Sequence, residues 1–100
     1  TVRIGFVAET ATTGNARFGV QIERANTDTD ADSFDTATEA HTATSGTSGT
    51  ITTLSISTTN LDSLATGEAY FLKLYRDSSD TTNDTVVGNV DVVWVEVQAN

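Results

Sequence analysis

Three aspartates spaced two residues apart are the clearest candidate for chemistry in this sequence. Asp28, Asp30 and Asp32 alternate with small residues, and Glu39 stands at the twelfth place counted from the first of them. Calcium-binding hand loops use carboxylate oxygens at this spacing. Ser33 stands where such a loop needs glycine for its sharp turn, so the hand itself is not predicted. A looser calcium site and a solvated acidic loop without a cofactor are the two interpretations, and the second is favoured.

A second acidic cluster follows Arg76 and has the same two interpretations. It consists of Asp77, Asp80, Asn83 and Asp84. Because Arg76 lies directly before the cluster, its guanidinium is expected to act as an internal counter-ion.

No arrangement typical of an enzyme accompanies these acids. His41 is the only histidine and lies in a threonine-rich stretch, and the chain has no cysteine. One histidine without a spaced partner is a weak signal for metal binding or proton transfer. No nucleophile elbow and no phosphate-binding glycine loop occurs in the sequence. We therefore expect a protein that is not an enzyme, with a glycosidase built on two carboxylates as the remote alternative.

Charge and composition narrow the classes of partner. The formal net charge is −9 over 100 residues, which repels phosphate backbones and anionic lipid headgroups, so neither nucleic acid nor a membrane is expected as a partner. No run of residues approaches the roughly 20 apolar residues of a membrane span. The length predicts one domain over residues 1–100, and because the chain opens on Thr1 and not on methionine, we expect a module of a longer polypeptide.

Apolar and polar residues alternate along much of the sequence with the two-residue period of a β-strand. Strands with a hairpin between them are predicted near residues 2–9 and 17–23, an edge strand at 36–44 and a central strand at 53–58. A single helical turn is expected over 61–65, ending at Gly67. Together with the long segments 69–75 and 86–97, this pattern predicts an all-β fold, an antiparallel two-sheet sandwich that is jelly-roll-like.

Side-chain parity in the last two strands predicts a surplus apolar surface. If Lys73 and Glu96 point outward, the apolar residues two positions away from them point outward too. A covering second sheet, an oligomer interface and a sugar-binding platform on Trp94 and Tyr75 are the three interpretations. The predicted interface comprises Val7, Phe71, Lys73, Tyr75, Val92 and Trp94. The predicted core comprises Val2, Ile4, Phe6, Phe18, Val20, Ile22, Leu54, Ile56, Leu72, Leu74, Val93, Val95 and Val97.

The stretch from Leu61 to Gln98 resembles a C-terminal segment of structural proteins of tailed bacteriophages. The matching residues form a turn, a strand ending in an Arg-Asp pair, and an Asp-rich loop that leads into a valine-rich strand. They are Gly67, Glu68, Tyr75, Arg76, Asp77, Asp84, Thr85, Gly88 and Asn89. Glu68 and Asn89 depart from the pattern, in which aspartate is more usual.

This resemblance implies a jelly-roll domain on the surface of a virus particle, often trimeric, of the tail-fibre, baseplate or capsid-decoration type. It implies partners among other virion proteins or the glycans of a host surface. The sequence therefore favours a non-catalytic virion structural domain for assembly or attachment. The alternative is a carbohydrate-binding module that uses exposed aromatic side chains.

Overall fold

The computed structural model describes residues 1–25 and 34–99, which form two antiparallel sheets of three strands each. One sheet has the order β4-β1-β6 and the other the order β3-β2-β5. The strands are β1 Val2–Ala8, β2 Asn15–Arg24, β3 Thr38–Ala43, β4 Thr52–Ile56, β5 Tyr70–Arg76 and β6 Val90–Val97. The predicted all-β sandwich is confirmed. A jelly roll has eight strands, and six are described here.

The core lies between the two central strands, β1 and β2. Alternate residues of both strands point inward because side chains in a strand alternate between the two faces of its sheet. The rings of Phe6 and Phe18 meet across the sandwich, with centroids 5.3 Å apart. Eight predicted core residues are confirmed as buried, namely Val2, Ile4, Phe6, Phe18, Val20, Ile22, Leu54 and Ile56. Ala8, Ala16 and Val86 are buried as well and were not predicted.

The predicted hairpin between the first two strands is wrong. β1 pairs with β4 and β6, whereas β2 pairs with β3 and β5. Gly14, with φ of 102°, lies between them where the chain passes from one sheet to the other, a backbone conformation that glycine adopts without steric cost. The two strands with the most regular apolar alternation therefore pack face to face, which buries more apolar surface than edge pairing does. β4 is an edge strand and not a central one, and β3 is the predicted edge strand.

The predicted helical turn over 61–65 is replaced by a tight reverse turn. Asp62 and Ser63 have φ of 52° and 58°, and the N–H of Leu64 donates to the carbonyl of Leu61 over 2.9 Å. The backbone N–H of Arg24 donates to the Asp62 carboxylate over 2.9 Å, and this contact holds the turn against the end of β2. Asp tolerates the left-handed conformation better than most residues, so this tertiary contact prevails over local helix preference. Gly67, where the helical turn was predicted to end, has the left-handed backbone conformation of such a cap, with φ of 86°, although residues 61–66 before it form no helix. No helix that could cross a membrane occurs in the described part of the chain.

A bulge in β6 changes which of its residues face inward. The pairing passes from Gly5 with Trp94 to Phe6 with Val92, so Val93 is an extra residue without a direct partner on β1. Val92 therefore faces inward with Val95 and Val97, and the prediction that Val92 faces outward is wrong. Val93, Val95 and Val97 were predicted to be buried, and all three are exposed.

Candidate functional site

The sandwich is closed along one side and open along the other. On the closed side β3 packs against β4. On the other side β5 and β6 lie at the edges of different sheets and do not pack together in this way. We call this second side, formed by β5 and β6, the open side.

The exposed fractions of residues in two cross-strand rows show the difference between the sides. In the first row Ile56 and Val97 flank Val2, and in the second Leu54 and Val95 flank Ile4. The β4 residues are 1% and 7% exposed, whereas the β6 residues in the same rows are 48% and 46% exposed. The inner face of β6 therefore carries core-type side chains, Val95 and Val97, that remain about half exposed.

The inner face of β5 continues the same surface. Leu72 and Leu74 pair with Ile22 and Val20 and are only half-buried. At the start of β5, Tyr70 is exposed and lines a cleft of about 480 Å³ between the ends of the two sheets. The end of β6 at Val97 lines the same cleft. The open side is thus a continuous apolar surface that runs along both edge strands.

The six predicted interface residues do not form one patch. Three of them lie on the outer face of the β3-β2-β5 sheet, where Phe71, Lys73 and Tyr75 pair with Glu23, Gln21 and Gly19. Val7 and Trp94 lie on the outer face of the other sheet, and Val92 faces inward. The two outer faces point in opposite directions, so the prediction of one shared face is wrong. Side-chain parity gives the face of each strand within its own sheet, and β5 and β6 belong to different sheets.

In each sheet one aromatic ring packs over a glycine of the central strand, and we call this arrangement an aromatic seat. A Cβ atom on Gly5 would lie 2.2 Å from Nε1 of Trp94, and one on Gly19 would lie 2.3 Å from Cζ of Tyr75. A cation stacks on each ring at 5.8 Å, Arg3 on Trp94 and Lys73 on Tyr75. An aromatic ring laid over a strand glycine replaces the packing that the glycine lacks. The two rings lie on opposite faces, so the predicted sugar-binding platform on Trp94 and Tyr75 together is wrong.

A buried ion pair fixes the loop between β5 and β6. Arg76 donates through Nε and Nη2 to the two carboxylate oxygens of Asp84, at 2.9 and 2.7 Å, and also to the carbonyls of Val86 and Gly88. The Asp84 side chain is 2% exposed. Burial raises its pKa, but the hydrogen bonds from Arg76 and from the backbone N–H of Arg17 hold that pKa below its usual value. This bidentate contact confirms Arg76 as the internal counter-ion.

A polar network crosses the outer face of the β3-β2-β5 sheet. Glu39 and Tyr75 are both paired with Gly19, and Arg17 lies beside Glu39 at 3.5 Å. Burial, and then a hydrogen bond with Asp77, raises the pKa of Glu39. Burial, and then the negative charge of Glu39, raises the pKa of Tyr75.

Glu39 and Asp77 affect each other directly: their interaction raises the pKa of Glu39 and lowers that of Asp77. Glycosidases hold their two carboxyl groups about 5 Å or more apart, so this pair does not resemble theirs. The contact ties β3 to the end of β5, and we interpret the network as structural.

The predicted calcium ligands are only partly placed by the structure. Asp28, Asp30 and Asp32 lie outside the described residues. Glu39 contacts Arg17, an arrangement unlike that of a calcium ligand. In the second cluster, Asp80 accepts from Arg17, Thr82 and Asn83. Within residues 1–25 and 34–99, no three acidic or histidine side chains are grouped as a metal site requires.

Sequence reasoning missed three features of this region: Arg17 as the hub of the polar network, Val86 as a buried anchor of the loop, and the two aromatic seats. Gly5 and Gly19 were available signals, because glycine inside a strand pattern marks a bulge or a close approach. No protein-family model, no curated protein and no solved structure matches this chain.

Proposed function

We propose that this chain is a non-catalytic structural domain of a virus particle, exposed on the particle surface, that works by assembling with neighbouring copies or with other virion proteins. The observation that carries the proposal is the open side. Core-type residues such as Val95 and Val97 remain about half exposed there, although their row partners on β4 are buried. Exposed apolar surfaces of this kind mark contact sites on globular domains.

The arrangement of the carboxylates supports a structural role over a catalytic one. Asp84 is held by Arg76, Asp80 by Arg17, and Glu39 contacts Asp77. Carboxyl groups that are engaged with one another and with arginines are poorly placed to act as acid and base on a substrate. They stabilise loops and edge strands instead.

The phage resemblance supports a place in a virus particle. The matching stretch, Leu61 to Gln98, comprises β5, the anchored loop and β6, which together build the open side. Among the matching residues, Arg76 and Asp84 form the ion pair that fixes the loop between these strands. The resemblance also implies assemblies of three copies, and we include self-association, as a homotrimer, in the proposal.

Assembly is favoured over attachment to a host glycan. A glycan platform needs aromatic rings that lie along one face, whereas Trp94 and Tyr75 lie on opposite outer faces. The alternative function as a carbohydrate-binding module therefore loses the site on which it depended.

Composition analysis of purified particles tests the proposal. Particles from the culture that produces this chain would be separated on a density gradient, washed in high salt and analysed by mass spectrometry. We expect this chain at a fixed molar ratio to the major capsid protein, and an antibody against the folded domain should label intact particles in electron micrographs. The matched control is the same gradient fraction from a culture without virus. Detection of the chain in the lysate but not in washed particles would overturn the proposal.

A further inference from the structure

The two strands of the open side each have one free edge. Among the described strands, β6 pairs only with β1, and β5 pairs only with β2. Along the other edge of each strand, backbone N–H and C=O groups have no strand partner, and such an edge is a template for pairing with another strand. The strands are similar in length, with seven residues in β5 and eight in β6.

Little protects these edges against pairing. The chain has no proline and a single lysine, Lys73, which lies in the middle of β5. In β6 the only charged residues are Asp91 and Glu96, and the four residues from Val92 to Val95 are all apolar. Proteins that keep an edge strand solitary place proline, inward-pointing charges or a bulge on it. Of these β6 has only the bulge at Val93, which leaves Trp94 to Val97 in regular register with β1.

The charged residues of β5 and β6 favour pairing of β5 with β6 over pairing of either strand with its own copy. Lys73 lies on the outer face of β5, and Asp91 and Glu96 lie on the outer face of β6. Pairing of β6 with another β6 brings acids near acids, and pairing of β5 with another β5 brings lysine near lysine. Pairing of β5 with β6 places the lysine beside the acids, and opposite charges across a strand pair stabilise it. The complementary edges are both present on every copy of this chain.

We propose that β6 of one copy pairs edge to edge with β5 of a second copy, and that the inner-face valines of β6 complete a shared core with Leu72 and Leu74 of that copy. This inference rests on the proposed function only in taking the open side as the assembly surface. The starts of β5 and the ends of β6 line the same cleft, so the two strands run in opposite directions within one copy. If the second copy is related to the first by a rotation about an axis parallel to the strands, the strand directions are preserved. β6 of one copy and β5 of the other are then antiparallel, like the paired strands within each sheet.

The open side supplies the apolar centre of such a contact. The exposed side chains Tyr70, Val92, Val93, Val95 and Val97 together present on the order of 400 Å² of surface. A stable interface buries about 800 Å² on each partner, and the two strand edges and their flanking side chains add to this apolar centre. Because every copy offers both edges, copies joined in this way can close into a ring of two or three, in which no edge of β5 or β6 is left unpaired.

Cysteine cross-linking tests the register of this pairing directly, since the wild-type chain has no cysteine. Tyr70→Cys and Val97→Cys variants would be mixed in equal amounts and oxidised under mild conditions. We expect a disulfide-linked dimer in the mixture and far less of it in either variant alone. The matched control replaces Val97→Cys with Ser55→Cys, which is exposed on β4 at the opposite edge of the same sheet. Equal cross-linking with the control would overturn the inference.

Charge reversal provides a second readout that does not depend on cysteine. Light scattering should give a wild-type mass of two or three times 10.5 kDa. Lys73→Glu should weaken association at least tenfold, and Lys73→Arg should not. A mixture of Lys73→Glu with Asp91→Lys should recover association, with circular dichroism confirming that each variant is folded. Glu96 is left unchanged because it pairs with Arg3 of its own copy at 3.0 Å.

A wild-type mass of 10.5 kDa at all concentrations would overturn the inference, and so would failure of the mixed charge variants to associate. Failure here and failure of the particle analysis are distinguishable. The chain can be present in particles without this edge pairing, and it can pair in solution without being a particle component.

Discussion

β4 and β6 flank the same central strand, yet one side of the sheet is a finished core and the other is not. Both strands place apolar side chains opposite Val2 and Ile4, so their pairing with β1 is equivalent. The difference comes from the facing sheet, because β3 packs against β4 and no described strand covers β6. Alternation in a sequence reports which face a side chain takes, and burial depends on whether a second layer covers that face.

Truncation of a side chain in one row should separate the two sides most strongly. Ile56→Ala removes buried atoms on the closed side and should lower the free energy of unfolding by about 4 kcal/mol. Val97→Ala, in the same row on the open side, should cost less than about 1 kcal/mol because the side chain is already half in water. Urea denaturation of the two variants, at a protein concentration too low for association, measures both. Equal losses would mean that the open side is covered within one copy.

The loop of the open side should depend on its ion pair more than on apolar packing. Asp84→Asn keeps the shape of the side chain but removes the charge that receives both guanidinium hydrogen bonds of Arg76. We expect the free energy of unfolding to fall by about 2 kcal/mol, since hydrogen bonds to charged groups contribute more than neutral ones. Asp91→Asn, on the exposed outer face of β6, is the matched control and should change stability little. An Asp84→Asn variant as stable as wild type would show that the ion pair does not anchor the loop.

The inward faces of the regular strands could be predicted from the sequence to a useful extent. Alternation near residues 2–9 and 17–23 predicted β1, β2 and most of the core, because both strands are regular and covered, although the central position was assigned to β4. Alternation in β5 was also interpreted correctly, with Leu72 and Leu74 inward.

The open side could not be predicted in the same way, for two physical reasons. The bulge at Val93 shifts the parity of β6 by one residue, and a bulge leaves no reliable signal in a run of valines. Sheet membership depends on long-range pairing, so nothing local showed that β5 and β6 belong to different sheets. Of the candidate site, the Arg76 counter-ion was predictable from its position beside the acids, whereas the Glu39–Asp77 contact depends on that same long-range pairing.

Filling the aromatic seat on the β6 side should have a smaller effect. Gly5→Ala places a methyl group where the indole of Trp94 lies, so the ring must swing away from the sheet. The expected cost is about 1 kcal/mol, because the displaced group is an exposed side chain and not backbone. Fluorescence of Trp94, the only tryptophan, should shift to longer wavelength as the ring enters water. Gly46→Ala, at a glycine with open space around it, should leave the emission unchanged, and an unchanged spectrum in Gly5→Ala would contradict the seat.

The smallest expected effect is a dependence on pH carried by Glu39, whose contact with Asp77 ties an edge strand of the closed side to the end of β5. Its folded-state pKa is raised above 4.5, so the folded protein holds this proton more tightly than the unfolded chain does. The resulting stabilisation is present below pH 4.5 and is lost as the pH rises through the folded-state value. The lowered pKa values of Asp80 and Asp84 act with the opposite sign, below about pH 3.8, and do not depend on Glu39. The pKa of Asp77 is lowered first by the hydrogen bond from Ser79, which wild type and variant share, and then by Glu39. Glu39→Gln cannot lose a proton, so its melting temperature should fall less than that of wild type between pH 4 and pH 7. Glu9→Gln, a carboxyl of the other sheet outside the network, is the control. Parallel pH profiles for wild type and Glu39→Gln would show that the proton between Glu39 and Asp77 does not contribute to holding the two sides together.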